Sequence, residues 1–121
     1  MDAIEIIKYL REQDFSIKAD GEYLELSPPE KITEELLQRL RLHKPAILLE
    51  LKREKRRMRV LTMLAENSGS ERAIISDSNF DPASVILAIA IRDQYTFELL
   101  LPREKYDAFF LLEVIEKGQI Q

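Results

Sequence analysis

The sequence predicts an α+β chain: an N-terminal helix, a β-hairpin and two helices (αββαα), with the long third helix leading into a three-stranded antiparallel meander and a C-terminal helix. Three observations lead there. Apolar residues switch between helical and alternating spacing along the chain. An Asp-Gly pair sits between two alternating runs, a strong hairpin signal. A basic run, Lys52-Arg53-Glu54-Lys55-Arg56-Arg57-Met58-Arg59, separates two acidic stretches that each carry their own apolar pattern. The expected organisation is a unit over residues 1–51, a basic helical connector over 52–66, and a meander-plus-helix unit over 67–121.

The elements follow in order. Asp2 and Glu5 form a capping-box-like pair, and Ile4, Ile7 and Leu10 follow at helical spacing with Ile6 and Tyr9 widening the stripe, so a helix should run to about Gln13. Phe15, Ile17 and Ala19 then alternate with Ser16 and Lys18. With Asp20-Gly21 as a two-residue type I′ loop, Ile17 faces Leu24 and Phe15 faces Leu26. That register buries Phe15, Ile17, Leu24 and Leu26 on one face and leaves Ser16, Lys18, Tyr23 and Glu25 on the other.

Pro28 and Pro29 end the hairpin, since proline cannot donate to a ladder. Thr33 caps a second helix carrying Leu36, Leu37, Leu40 and Leu42, which Pro45 should break or kink just after His43-Lys44. Pro45 can open a third helix. Ile47, Leu51, Met58, Leu61 and Ala65 keep near-heptad spacing, so that helix could continue to Glu66 before Asn67-Ser68-Gly69-Ser70 stops it. Beyond it, Ala73–Ser76, Val85–Arg92 and Tyr95–Leu101 are strands, Asp77–Ser84 is a polar loop, and Arg103–Lys117 is a helix ended by Gly118. An Asp93-Gln94 turn would place Ile86, Ala88 and Ala90 with Phe97, Leu99 and Leu101. Val85 to Ile91 is apolar on both faces, which a central, doubly covered strand explains.

Composition narrows function. The chain has 121 residues, 45% hydrophobic and 33% charged, and no cysteine, which excludes disulfides and thiolate metal sites. Its N-terminus lacks the basic and uninterrupted apolar regions of a signal peptide, and no apolar run approaches the ~20 residues of a membrane span, so a cytoplasmic location without membrane insertion is expected. Residues 52–60 carry 6 basic and 1 acidic side chains, against 7 and 11 before them and 5 and 10 after. His43 is the only histidine, and neither a nucleophile motif nor a glycine-rich phosphate loop is present, so neither an enzyme, a cofactor nor a metal is expected. Asp77-Ser78-Asn79-Phe80-Asp81-Pro82 opens like a calcium loop but has Pro82 where the sharp turn needs glycine and Ala88 where a bidentate Glu belongs, so a capped turn is the better account.

One stretch resembles a known family. The helix with Ile7, Leu10 and Arg11, the strand Phe15–Ala19, Asp20-Gly21-Glu22, the strand Tyr23–Leu26, Pro28-Pro29, Thr33–Leu42 and His43-Lys44-Pro45-Ala46-Ile47-Leu48 resemble, in order, the TubC-type N-terminal docking domains of bacterial hybrid peptide and polyketide synthases. The resemblance covers about residues 3–51. The resemblance implies an αββαα homodimer that captures a short, often acidic C-terminal segment of an upstream synthase subunit along its exposed hairpin, here through Ser16, Lys18, Tyr23 and Glu25. Glu22 and Glu25 make this hairpin more acidic than such a ligand suits, and Arg59–Gln121 lies outside the resemblance.

Two functions therefore lead as expectations, beside a third, a chain that merely scaffolds its own oligomer, which the sequence does not separate from docking. The first is a protein-protein docking or adaptor module, a homodimer that binds a peptide segment through those four hairpin residues, by strand addition to an open sheet edge. The alternative is a nucleic-acid accessory protein using Arg53, Lys55, Arg56, Arg57 and Arg59, although no base-stacking aromatics accompany the run.

Overall fold

The computed structural model describes residues 1–103; the expected C-terminal helix over Arg103–Lys117 lies outside them apart from its first residue. The described elements run helix α1 (Ala3–Glu12), strands β1 (Ser16–Asp20) and β2 (Tyr23–Ser27), a single 3-10 turn (Pro29–Lys31), helix α2 (Glu34–Glu66), and strands β3 (Arg72–Asp81), β4 (Ser84–Ile91) and β5 (Tyr95–Pro102). The chain divides into two compact units, Met1–Glu54 and Lys55–Gln121.

In the first unit, the Asp2 carboxylate accepts the Glu5 backbone N–H at 2.9 Å and so caps α1. The helix ends in a Schellman arrangement. Phe15 N–H donates to Leu10 C=O at 2.9 Å and Asp14 N–H to Arg11 C=O at 3.1 Å, with Asp14 in the left-handed region at φ 64°. Ala3, Ile6, Ile7 and Leu10 form the buried stripe. Ile4 and Tyr9 point outward instead, so the inward face is centred between Ile6 and Ile7 rather than on Ile4. This stripe joins Ile17, Leu40, Ile47 and Leu51 in one core, flanked by Phe15, Ala19, Leu24, Leu26 and Leu36.

The hairpin register differs from the expected one. Ile17 pairs with Leu26, Ala19 with Leu24 and Asp20 with Tyr23, so the loop is Gly21-Glu22. Gly21 alone in it has a positive φ, 60°, the pattern of a type II′ turn, which takes glycine first, rather than type I′. Every pair moves by two residues, and a period of two keeps each side chain on its expected face.

Thr33 caps α2 through its hydroxyl, which accepts the Leu36 N–H at 3.1 Å. The expected break at Pro45 is absent: α2 is one helix of 33 residues with Pro45 inside it. An interior proline costs about 3 kcal/mol. Leu40, Ile47, Leu48 and Leu51 are all buried around it, at roughly 1.5–3 kcal/mol each, which outweighs that cost. Pro45 itself is exposed, as is Arg41, whose carbonyl the proline leaves without its helical donor and which water can solvate. Nor does the near-heptad row stay inward. Met58 is 55% and Leu61 41% exposed, and the buried residues of this part are Val60 and Leu64.

In the second unit β3, β4 and β5 form an antiparallel sheet in that order. Val85 to Ala90 are all buried, as a central strand requires. Val60 and Leu64 cluster with Ile75 and with Ala73, Ala88 and Ala90, three small residues that let a helix approach the sheet closely. The expected loop over Asp77–Ser84 is mostly strand: β3 continues to Asp81 through a register irregularity, and only Pro82-Ala83 turn. The capped turns are present, with Asp77 accepting Asn79 N–H at 2.9 Å and Asp81 accepting Ala83 N–H at 2.7 Å. Arg103 fastens this corner, its guanidinium donating to the carbonyls of Ser78, Asp81, Pro82 and Ser84.

The β4–β5 pairing is also displaced, by one residue. Ala88 faces Glu98 and Ala90 faces Thr96 across a three-residue loop, Arg92–Gln94, in place of the expected Asp93-Gln94. Gln94 N–H donates to Ile91 C=O at 3.1 Å, and Asp93 takes φ 58° at the turn position that favours glycine or asparagine. A shift of one puts Thr96, Glu98 and Leu100, not Phe97, Leu99 and Leu101, on the Ala88 face.

Candidate interaction surface on the hairpin

A two-residue loop is closed by a pair that exchanges both backbone hydrogen bonds, and bonded and unbonded pairs alternate from there. Asp20–Tyr23, Lys18–Glu25 and Ser16–Ser27 are therefore the bonded pairs. Ile17 and Ala19 on one strand, and Leu24 and Leu26 on the other, turn their N–H and C=O groups to the two edges. No other described strand joins this sheet. The inward-facing side chains thus belong to the same residues whose backbone lines the edges; Ile17 is buried and covers the β1 edge at its position, while Leu24 and Leu26 on the β2 edge are half-buried.

The other face carries Ser16, Lys18, Tyr23 and Glu25, all exposed and all on one side as the alternation requires. Tyr23 is 71% exposed. Lys18 lies directly opposite Glu25, a cross-strand pair of opposite charge, worth about 0.2–1 kcal/mol. Two neighbours escaped the sequence reading. Asp20 faces Tyr23, and the Lys44 ammonium from α2 stands 5.5 Å from the Tyr23 ring centroid, within cation–π range. Lys44 was expected at a helix end beside His43, with nothing in the local pattern to pair it with the tyrosine. At the open end of the hairpin Lys31 lies 5.1 Å from the Phe15 ring centroid and donates to Gln13 C=O at 2.6 Å.

The basic run is not a uniform cationic surface. Arg56 is committed inside the second unit: its guanidinium grips Glu98 through Nε (2.7 Å) and a terminal nitrogen (2.9 Å), and Asp77 at 3.2 Å. Its side chain is only 11% exposed. The Glu98 hydrogen bond, against the opposing effect of burial, raises the Arg56 pKa above its ordinary value, so it stays charged throughout the folded range. Arg53, Lys55, Arg57 and Arg59 are exposed. At 100° per residue, Arg53 and Arg57 share one side of α2 while Lys55 and Arg59 share nearly the opposite one.

Glu54, inside the run, belongs to the first unit, where Arg11 holds it bidentately at 2.7 and 2.9 Å. That hydrogen bond raises the Arg11 pKa. Arg11 remains 45% exposed, so this pair contributes little, roughly 0–1 kcal/mol.

Among the described residues no group of His, Asp and Glu is placed to hold a metal ion, and no helix is long and apolar enough to cross a membrane. No family model, curated protein or solved structure matches the chain.

Proposed function

We infer that the first unit is a docking module that captures an extended peptide segment of another protein along the β1–β2 hairpin, and that the chain acts as a homodimer. The observation that carries this reading is a two-stranded sheet that no other described strand joins, with outward-turned backbone groups at half-buried Leu24 and Leu26 of β2, beside an exposed face of Ser16, Lys18, Tyr23 and Glu25. Backbone groups at an open edge supply the affinity of strand addition, and alternate side chains supply its selectivity. Tyr23, steadied by Lys44, offers a large contact at small entropic cost.

Peptide capture is tested by titrating a labelled peptide library with the intact chain and with Lys18→Ala/Tyr23→Ala. Peptides that bind the intact chain should lose at least about tenfold in affinity for the double variant, a contact loss of ~1.4 kcal/mol. Equal binding by the two would remove the hairpin as the site. The nucleic-acid alternative keeps Lys55, Arg57 and Arg59 in the second unit, and a steep rise in DNA binding as salt falls would favour it over docking.

A further inference from the structure

The exposed residues of α2 within the first unit contain a pattern that the core does not use. Glu35, Arg39, Leu42, Ala46, Leu49 and Arg53 follow one another at steps of four, three, four, three and four, the spacing of a two-helix seam. All six are exposed; Leu42 is 76% and Leu49 53% exposed. Isolated exposed leucines need no explanation, but two at heptad spacing around an alanine, with charges at both ends of the row, do.

The charges select the occupant. A second copy lying parallel would set Glu35 on Glu35, Arg39 on Arg39 and Arg53 on Arg53. Lying antiparallel, it sets Glu35 against Arg53 of the other copy, and Leu42 against Ala46, with each contact made twice. Arg39 then falls beside Glu50 of the other copy. Its existing pair with Glu35, at 3.6 Å on an exposed surface, is weak enough to rearrange. Leu49 of the second copy arrives next to Arg39 and Leu42, where an open recess of ≈ 430 Å³ is also lined by Met1, Gln38 and His43.

We propose that a second copy of this chain packs antiparallel along the Glu35–Arg53 stripe of α2, with Leu49 of each copy entering the recess beside Leu42 of the other. This rests on the homodimer reading above and gives it a surface separate from the hairpin. Sedimentation equilibrium of the full chain tests it. The intact chain should be a dimer at tens of micromolar, and Leu49→Glu should raise its dissociation constant at least ~30-fold, the effect of losing a central anchor. Because α2 exposes Leu49 already, the far-UV spectrum should not change.

Direction is read separately. The chain has no cysteine, so an oxidised mixture of Glu35→Cys and Arg53→Cys chains should give the mixed disulfide, and Arg53→Cys alone should not. A monomeric intact chain, a dimer indifferent to Leu49→Glu, or ready cross-linking of Arg53→Cys with itself would each overturn the proposal. Lys18→Ala/Tyr23→Ala should remain dimeric, so failure of peptide capture and failure of this interface give different results.

Discussion

The two hairpins differ in how much a displaced turn matters. In β1–β2 the loop lies one residue beyond Asp20-Gly21, and each pairing partner moves by two, so Phe15, Ile17, Leu24 and Leu26 still face inward. In β4–β5 the loop holds three residues instead of two, each partner moves by one, and all of β5 turns over. Parity, not distance, decides the consequence. The second hairpin matters more because β5 has one charged residue, Glu98, and the turnover brings it to the face where Arg56 waits.

The largest expected effect follows from that turnover. Arg56→Ala would leave Glu98 and Asp77, 21% and 25% exposed, without their shared cation. The loss should be about 2–4 kcal/mol, below the full cost for a wholly buried pair because both carboxylates keep some solvent. A urea unfolding midpoint checks it, and an unchanged midpoint would mean that the β5 register is not held by this contact. Gly21→Ala comes next, at about 1–2 kcal/mol of destabilisation. An added Cβ meets nothing within 4 Å there, so the cost is purely the left-handed backbone at φ 60°.

The β4–β5 turn should respond in the opposite direction. Asp93→Gly relieves φ 58° and should add roughly 0.5–1 kcal/mol, read as a rise in thermal midpoint. Destabilisation would show that the aspartate side chain contributes more than its backbone strain costs. Smallest of all, Lys18→Ala/Tyr23→Ala should move stability by no more than about 1 kcal/mol, because both side chains are exposed. Its effect belongs to peptide capture alone, and a large loss of stability would mean the outer face of β1–β2 is structural.

Much of the first unit was legible because its strands alternate cleanly: polar Ser16, Lys18, Tyr23 and Glu25 share one face under either two-residue loop, Asp20-Gly21 or Gly21-Glu22. The same rule was silent for β5, where Phe97, Leu99, Leu100 and Leu101 place apolar residues on both parities. Pro45 misled for another reason. Its local preference is to end a helix, and only the burial of Leu40, Ile47, Leu48 and Leu51 on either side overrides it. The exposed seam on α2 was hidden by that same expected break, since it does not exist unless the helix is continuous, and nothing local announced the Lys44–Tyr23 contact. The basic run showed its charge but not its division of labour, because nothing local distinguishes Arg56 from Arg57.

The position of the divide between the units has a consequence for how the protein can be cut. Glu54 and Lys55 lie within α2, with at least two turns of helix on each side. A protease needs an extended, locally unfolded stretch, and a helix interior offers none. Brief digestion should therefore spare this boundary and enter elsewhere, and gene fragments ending at residue 54 would each strand a helix end in mid-turn. The chain has a seam between its halves but no perforation along it.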